Sequence, residues 1–324
     1  MFDPVPWFVG GGAEHSPEVA RLLAYAATGG GEGIATPSSL RVRATSTPSN
    51  QVAVNIGAGI ILNRAIGGTL QSYIARMPTT DTVTIAATTS SGPRTDLIVA
   101  QVEDPNMSGE PWNDPADPTV GPYVFTRVIP NVPSTTTRLQ DVSGYEGRSA
   151  ITLARVTLPA NTATITNAMI TDLRRMAKPR SERQMPDTSA APAANNLTNS
   201  DFAFWPWANT PLTVDVPTWA THMIAKMEFL GGQTVGNAGG QIRLVLGTGS
   251  DLYPFGTYSY NYPDPLQKSR QPVVAAGTLA LPASVRGTTQ ALRMQGLRSS
   301  GTGNLFTVDS TYYITDVQFL ERAE

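Results

Sequence analysis

One helical period stands near the start of the chain, and almost nothing after it repeats that spacing. Val19, Leu22, Leu23 and Ala26 fall at i, i+3, i+4 and i+7, a single apolar stripe. Ser16 supplies an N-cap, Pro17 suits the first helical position and Glu18 sits at the positive end of the dipole. Gly29-Gly30-Gly31 ends the stripe, because glycine takes the left-handed closing conformation without strain. The spacing predicts one helix over Ser16 to Thr28.

From Leu40 the period changes to two. Arg41–Ala44, Gln51–Ile56, Gly59–Leu62, Ser72–Met77 and Thr82–Ala87 are short Val-, Ile- and Thr-rich runs bounded by turn residues such as Pro48-Ser49-Asn50 and Gly67-Gly68. Leu97–Val102 is almost continuously apolar and predicts a central strand, and Tyr123–Ile129 and Ala150–Val156 complete a first β-rich unit. Glu103–Gly121, with four prolines, predicts an irregular excursion. Met176–Ser200 has no apolar period and reads as a linker. Beyond it, runs at Leu212–Val216, His222–Leu230, Gln241–Leu246, Thr257–Asn261, Val273–Leu281, Thr289–Gln295 and Tyr312–Phe319 predict an antiparallel sandwich of jelly-roll type. The expected organisation is mainly β: a helix and β-rich domain over 1–175, a linker over 176–200 and a C-terminal β-sandwich over 201–324.

Composition narrows the function classes. The 23 Lys+Arg and 25 Asp+Glu leave a formal charge of −2 with no basic run, which argues against a surface built to grip phosphates. Cysteine is absent and His15 and His222 are the only histidines, so thiolate chemistry, disulfides, zinc fingers and His-rich metal centres are excluded. No apolar stretch reaches the length needed to span a bilayer, and Met1-Phe2-Asp3-Pro4 lacks the basic flank and apolar core of a signal peptide. Lys178, Lys226 and Lys268 are the only lysines; the scatter of the arginines favours genomic base composition over selection for paired recognition.

Candidate chemistry is sparse. Gly-x-Ser-x-Gly, His-Glu-x-x-His and P-loop patterns are missing, and no cofactor, metal or catalytic set is expected. The Gly-rich stretch 231–240 has no Lys and reads as a mobile loop. Asp104, Glu110, Asp114 and Asp117 could offer oxygens to calcium, but three of them begin Asp-Pro turns and lack EF-hand spacing. A glycosidase needs two facing carboxylates; Asp201, Asp215, Glu228, Asp251, Asp264, Asp309 and Asp316 are available, with no signature to choose among them.

Aromatic residues cluster twice. Phe202, Phe204, Trp205 and Trp207 open the C-terminal unit, and Tyr253, Phe255, Tyr258, Tyr260 and Tyr262 surround a Pro-containing loop. Exposed rings stack on sugars, so the second group is a candidate saccharide or host contact; the competing reading places these rings in the core or a subunit interface. Five rings within ten residues are not expected all to turn inward.

Three segments carry a family resemblance. Trp7–Ser16 with Ala20–Tyr25, then Arg94-Thr95-Asp96-Leu97-Ile98-Val99-Ala100, then Ile151–Val156 with Ile165–Arg174, are together similar to minor tail and tail-tip (baseplate) proteins of long-tailed, siphovirus-type bacteriophages. The likeness covers most of residues 1–175. It implies a non-enzymatic virion component at the tail tip, made in the host cytoplasm, with an N-terminal tail-attachment domain and an outward C-terminal domain. It further implies other tail-tip proteins as partners, homo-oligomers (a trimer or a ring about the tail axis) and, for the C-terminal domain, host cell-wall glycan; neither nucleic acid nor membrane insertion is implied. Arg94 and Asp96 share a strand face and are expected to pair with Asp172 or Arg174 of the closing segment, tying the domain's ends together. A tail-borne glycan hydrolase and a free carbohydrate-binding module are the rival readings.

Overall fold

The computed structural model describes residues 16–65, 70–104, 121–185, 189–190, 196–206, 212–263 and 268–324. Trp7–His15, Gly67, Gly68, Glu110, Asp114, Asp117, Trp207 and Asp264 lie outside those residues, as does most of the Glu103–Gly121 excursion. The chain is mainly β and divides into two compact units, Met1–Lys178 with Ala323–Glu324, and Pro179–Arg322.

The first unit begins with α1 (Pro17–Thr28). Ser16 Oγ accepts from the Glu18 amide at 3.1 Å, and Gly29 closes the helix at φ 63°. The stripe read from the sequence is not the covered face: Leu22 and Leu23 are each 45% exposed, and only Ala24 is fully buried. The helix packs instead through the Arg21–Ala24 side, where Arg21 donates to Gln71 Oε1 at 2.6 Å and lies over the Tyr73 ring.

Strands β1 (Gly33–Ile34), β2 (Val42–Ala44), β3 (Gln51–Val54), β4 (Gly57–Leu62), β5 (Ser72–Met77) and β6 (Asp81–Thr84) form two small antiparallel sheets, ordered β1-β4-β5 and β2-β3-β6. A third sheet has the order β10-β9-β7-β8, from β7 (Arg94–Val102), β8 (Val124–Ile129), β9 (Ala150–Leu158) and β10 (Ile170–Asp172). Every residue of β7 after Arg94 is buried, as the continuous apolar run requires of a strand covered on both faces.

The second unit holds β11 (Ser181–Gln184), β12 (Ser189–Ala190), β13 (Asn196–Leu197), β14 (Ala203–Phe204), β15 (Leu212–Asp215), β16 (His222–Val235), β17 (Ala238–Thr248), β18 (Asp251–Tyr262), β19 (Ser269–Ala280), β20 (Thr289–Ser300), β21 (Asn304–Phe306) and β22 (Tyr312–Leu320). The stretch expected to be a linker is therefore structured where it is described. Ser181–Gln184 pairs with Leu320–Val317, and Asn196-Leu197 pairs with Phe306-Leu305. The Gly-rich stretch is also no free loop: Gly231 and Gly232 lie in β16, Gly239 and Gly240 in β17, and only Gly236-Asn237 turns between them.

Two sheets face each other across one core. Their main paths run β11-β22-β16-β19 and β15-β20-β17-β18. Taken as first to eighth in the chain, the first sheet reads first, eighth, third, sixth, and the second reads second, seventh, fourth, fifth. That is jelly-roll connectivity, two interleaved Greek keys. Met223, Phe229, Val317 and Phe319 from one sheet meet Leu244, Leu246, Leu292 and Met294 from the other. The alternation seen in His222–Leu230 is the pattern a half-buried strand needs, with odd positions inward and even positions outward.

Candidate functional site

The aromatic segment is a strand, not a loop, and a bulge decides where its rings point. Thr257 opposes Arg243 and Pro254 opposes Val245, so Phe255 and Gly256 together face the single residue Leu244. Before the bulge odd residues face the core; after it even residues do. Tyr253 and Phe255 precede the shift and Tyr258, Tyr260 and Tyr262 follow it, so all five lie on the core side of the sheet by register. The extra residue resets the phase, so the rings share one side of the sheet and differ in exposure by how far that side is covered.

Burial nevertheless differs along the row. Phe255 and Tyr260 are buried, Tyr253 and Tyr262 pack half-buried against the core, and Tyr258 is 43% exposed. Tyr258 stands on β18, the edge of its sheet, where cover is incomplete. Tyr260 sits opposite Gly240, at which a Cβ would lie within 2.9 Å of the Tyr260 ring, so the glycine makes room for it. The Tyr260 and Tyr262 rings stack at 5.7 Å, and their hydroxyls donate to the Leu297 and Pro272 carbonyls, each at 3.3 Å.

Burial pushes the Tyr260 hydroxyl up to about 12 from an ordinary 10.0, and it also raises that of Tyr262. A raised folded-state value means that stability is complete below pH 10 and falls as pH climbs from 10 to about 12, where the unfolded chain ionises first. Denaturant melts across that window should lose about 2–3 kcal/mol. Tyr260→Phe should flatten the loss at a neutral-pH cost of about 1 kcal/mol for the missing hydrogen bond. A profile identical to the parent's would show that another group causes it.

The other aromatic group serves packing. Trp205 is buried, 5.6 Å from the Phe229 ring, while Phe202 and Phe204 lie over the guanidiniums of Arg243 and Arg293 at 3.9 and 4.2 Å. Of the carboxylates weighed for hydrolysis, Glu228 pairs with Lys226 at 2.7 Å and Asp316 with Arg183 at 2.7 Å. The Arg183 hydrogen bond holds Asp316 below its usual range, the opposite of a general acid. Asp104 accepts from Tyr73 at 2.9 Å, and among the described residues no group of three or more His, Asp or Glu side chains could hold a metal ion.

The four residues expected to clasp the first unit do pair, but within each segment. Arg94 forks onto Asp96 (2.8 Å from both Nε and Nη2), and Arg174 forks onto Asp172 (Nη2 at 2.7 Å). The cross-pairing fails because β9 lies between β7 and β10. Asp96, almost wholly buried, also accepts from the Asn131 amide at 3.0 Å, while Arg94 reaches the carbonyls of Ala86 and Ala87. Arg174 donates further to Pro37 O (3.1 Å), Ser39 O (2.6 Å) and the Glu324 carbonyl. One buried guanidinium thus joins an early turn, the closing segment and the chain's last residue.

Sequence reading did not find Glu32, whose Oε1 accepts from Arg64 at 2.6 Å and Arg138 at 3.2 Å. It also missed a cavity of about 230 Å³ in the first unit, lined by Leu40, Ala75, Met77, Ala100, Val124 and Phe125 among others. The lining residues come from β5, the turn that leads into β6, β7, β8 and the Leu40 turn, and no local pattern joins segments so far apart.

No known family matches the sequence, and no curated protein matches it. Solved structures similar to it include the VP2 subviral particle of infectious bursal disease virus, at 11% identity and a TM-score of 0.21, covering 94% of this chain and 82% of that one. They also include the mosquito-larvicidal Cry4Aa toxin of Bacillus thuringiensis, at 7% identity and a TM-score of 0.20, covering 90% and 54% respectively. A viral particle protein and a bacterial toxin thus appear at nearly the same low score, and a likeness at that level assigns neither fold family nor function.

Proposed function

We propose that the chain is a structural component of a virion, a minor tail protein at the tail tip of a long-tailed bacteriophage. In this reading the first unit attaches to the tail and the second faces the host envelope. The observation that supports it is the gathering of the resembling segments. Arg94–Ala100, Ile151–Val156 and Ile170–Asp172 fall on β7, β9 and β10, three adjacent strands of one sheet. Segments as far apart in the chain as Ala100 and Ile151, and alike in sequence to one family, therefore build a single structural element. Antibody raised against this chain should decorate the tail tip of purified particles in electron micrographs; particles that lack the chain altogether would refute the proposal.

The envelope-facing role rests on Tyr258, the exposed member of the aromatic row, with a ring of the kind that stacks on sugar faces. Tyr258→Ala should weaken binding to host cells about tenfold, roughly 1.4 kcal/mol, with the melting temperature unchanged. Tyr260→Ala should lower stability instead. Binding equal to the parent's in Tyr258→Ala would remove this residue from the contact.

A further inference from the structure

The two outer faces of the C-terminal sandwich differ in chemistry. On the sheet containing β17, β18 and β20, the outward residues include the polar Gln241, Arg243, Thr257, Ser259 and Arg293, and the apolar Val245 and Ala291 between them are buried rather than exposed. On the sheet containing β19, β16 and β22, the outward positions include Val274, Leu230, Tyr312 and Ile314, which are 38, 41, 51 and 37% exposed. These four are neighbours. Val274 and Ile314 oppose Glu228 from either side, and Leu230 opposes Tyr312 in the adjacent row. An apolar patch spanning three adjacent strands is an interaction surface when it occurs on a folded domain.

Charges beside the patch indicate what covers it. Lys226 and Asp316 oppose each other one row away, and Arg183 pairs with Asp316. Arg270 lies beside Gly231 and donates to Ser310 at the Leu230–Tyr312 end, and Glu228, within the patch between Val274 and Ile314, pairs with Lys226. The charges around the patch therefore mix cations and anions rather than presenting one sign. Nucleic acid or an anionic membrane would select a cationic border, which this is not. A surface with the same apolar patch and the same mixed-sign border satisfies both parts, and a second copy of this chain presents one. In a symmetric pairing each Lys or Arg can meet a Glu or Asp of the other copy while the apolar rows meet each other.

We infer that the outer face of β19, β16 and β22 is a self-association surface, centred on Leu230, Tyr312 and Ile314. The inference stands on the second unit alone and holds whether or not the chain belongs to a phage tail.

Sedimentation of the full-length protein across the micromolar range tests it. The parent chain should self-associate. Ile314→Asp, a change at an exposed position, should weaken association at least about tenfold with an unchanged circular dichroism melt. Val124→Asp, at an exposed apolar position of the first unit, should leave association as it is. A parent chain that is monomeric throughout, or a folded Ile314→Asp protein that associates as tightly as the parent, overturns the inference. Where Ile314→Asp does not fold, a photo-crosslinking phenylalanine derivative placed at Tyr312 of the otherwise unaltered chain decides the matter. Covalent dimers or higher species support the surface, and their absence from an associating protein overturns it.

Discussion

Arg174→Ala should destabilise the first unit by about 3–5 kcal/mol, because it removes a buried cation and orphans acceptors in three separate segments. The Arg174 side chain has no solvent exposure, and its donors reach Asp172, Pro37, Ser39 and Glu324. Without it, the Pro37 and Ser39 carbonyls lose their guanidinium donor, and so does the carbonyl of the last residue. Asp172 is 40% exposed, so water takes up part of its share and the cost belongs at the lower end of the range. Arg174→Lys keeps the charge but replaces the planar fork with a point donor, and should cost about 1–2 kcal/mol. Urea denaturation of the full chain measures both. A loss below about 1 kcal/mol for Arg174→Ala would mean that water replaces the guanidinium and that the three segments hold together without it.

Arg174 also shows where sequence reading reached its limit. The residue was singled out, and its role in joining distant parts of the unit was expected, yet its partners were not. An i, i+2 pair on one strand face is a local fact, and both Arg94–Asp96 and Asp172–Arg174 obey it. Which strand lies beside which is not local, and the insertion of β9 between β7 and β10 removed the cross-pairing. The arginine bias has a similar lesson. Their scatter along the chain suggested base composition, but in space Arg94, Arg127, Arg174, Arg180 and Arg183 each fork onto a carboxylate through two nitrogens. Bidentate pairing is the use for which Arg and Lys differ.

The elements that were legible carried their own signals. The helix was marked by Ser16, Pro17 and Gly29, each acting within a turn of itself, and the long strands by alternation that burial enforces. What was missed lacked such a signal. Ser181–Gln184 is polar on both faces because it lies at a sheet edge, so no alternation distinguishes it from a linker. The apolar stripe of α1 placed the helix correctly, yet Leu22 and Leu23 stay exposed while Arg21 and Ala24 face the unit. The aromatic row was found by composition, but its facing depended on one extra residue at Phe255-Gly256, which only the register with β17 reveals.

Phe229→Ala should cost the second unit about 3–5 kcal/mol, the range for emptying a ring-sized site in a closed core. Phe229 has no exposed surface, lies on β16 between β19 and β22, and meets the Trp205 ring at 5.6 Å and the Tyr313 ring at 5.8 Å. The loss has two parts. One is the transfer of the ring from water; the other is the void that Trp205 and Tyr313 cannot close, since Trp205 is held by a backbone bond from its amide to Met294 O at 3.0 Å. Phe229→Leu keeps most of the volume and should cost about 1–1.5 kcal/mol. Hydrogen exchange should register Phe229→Ala as lost protection centred on β16 and its partners β19 and β22. These strands also carry Leu230, Tyr312 and Ile314 outward, so the ring that faces the core fixes the flatness of the face that meets another copy. Phe229→Ala should therefore weaken self-association as well as stability, whereas Ile314→Asp should weaken association alone. A Phe229→Ala protein that melts early yet associates like the parent would show that the outer face does not depend on the packing beneath it.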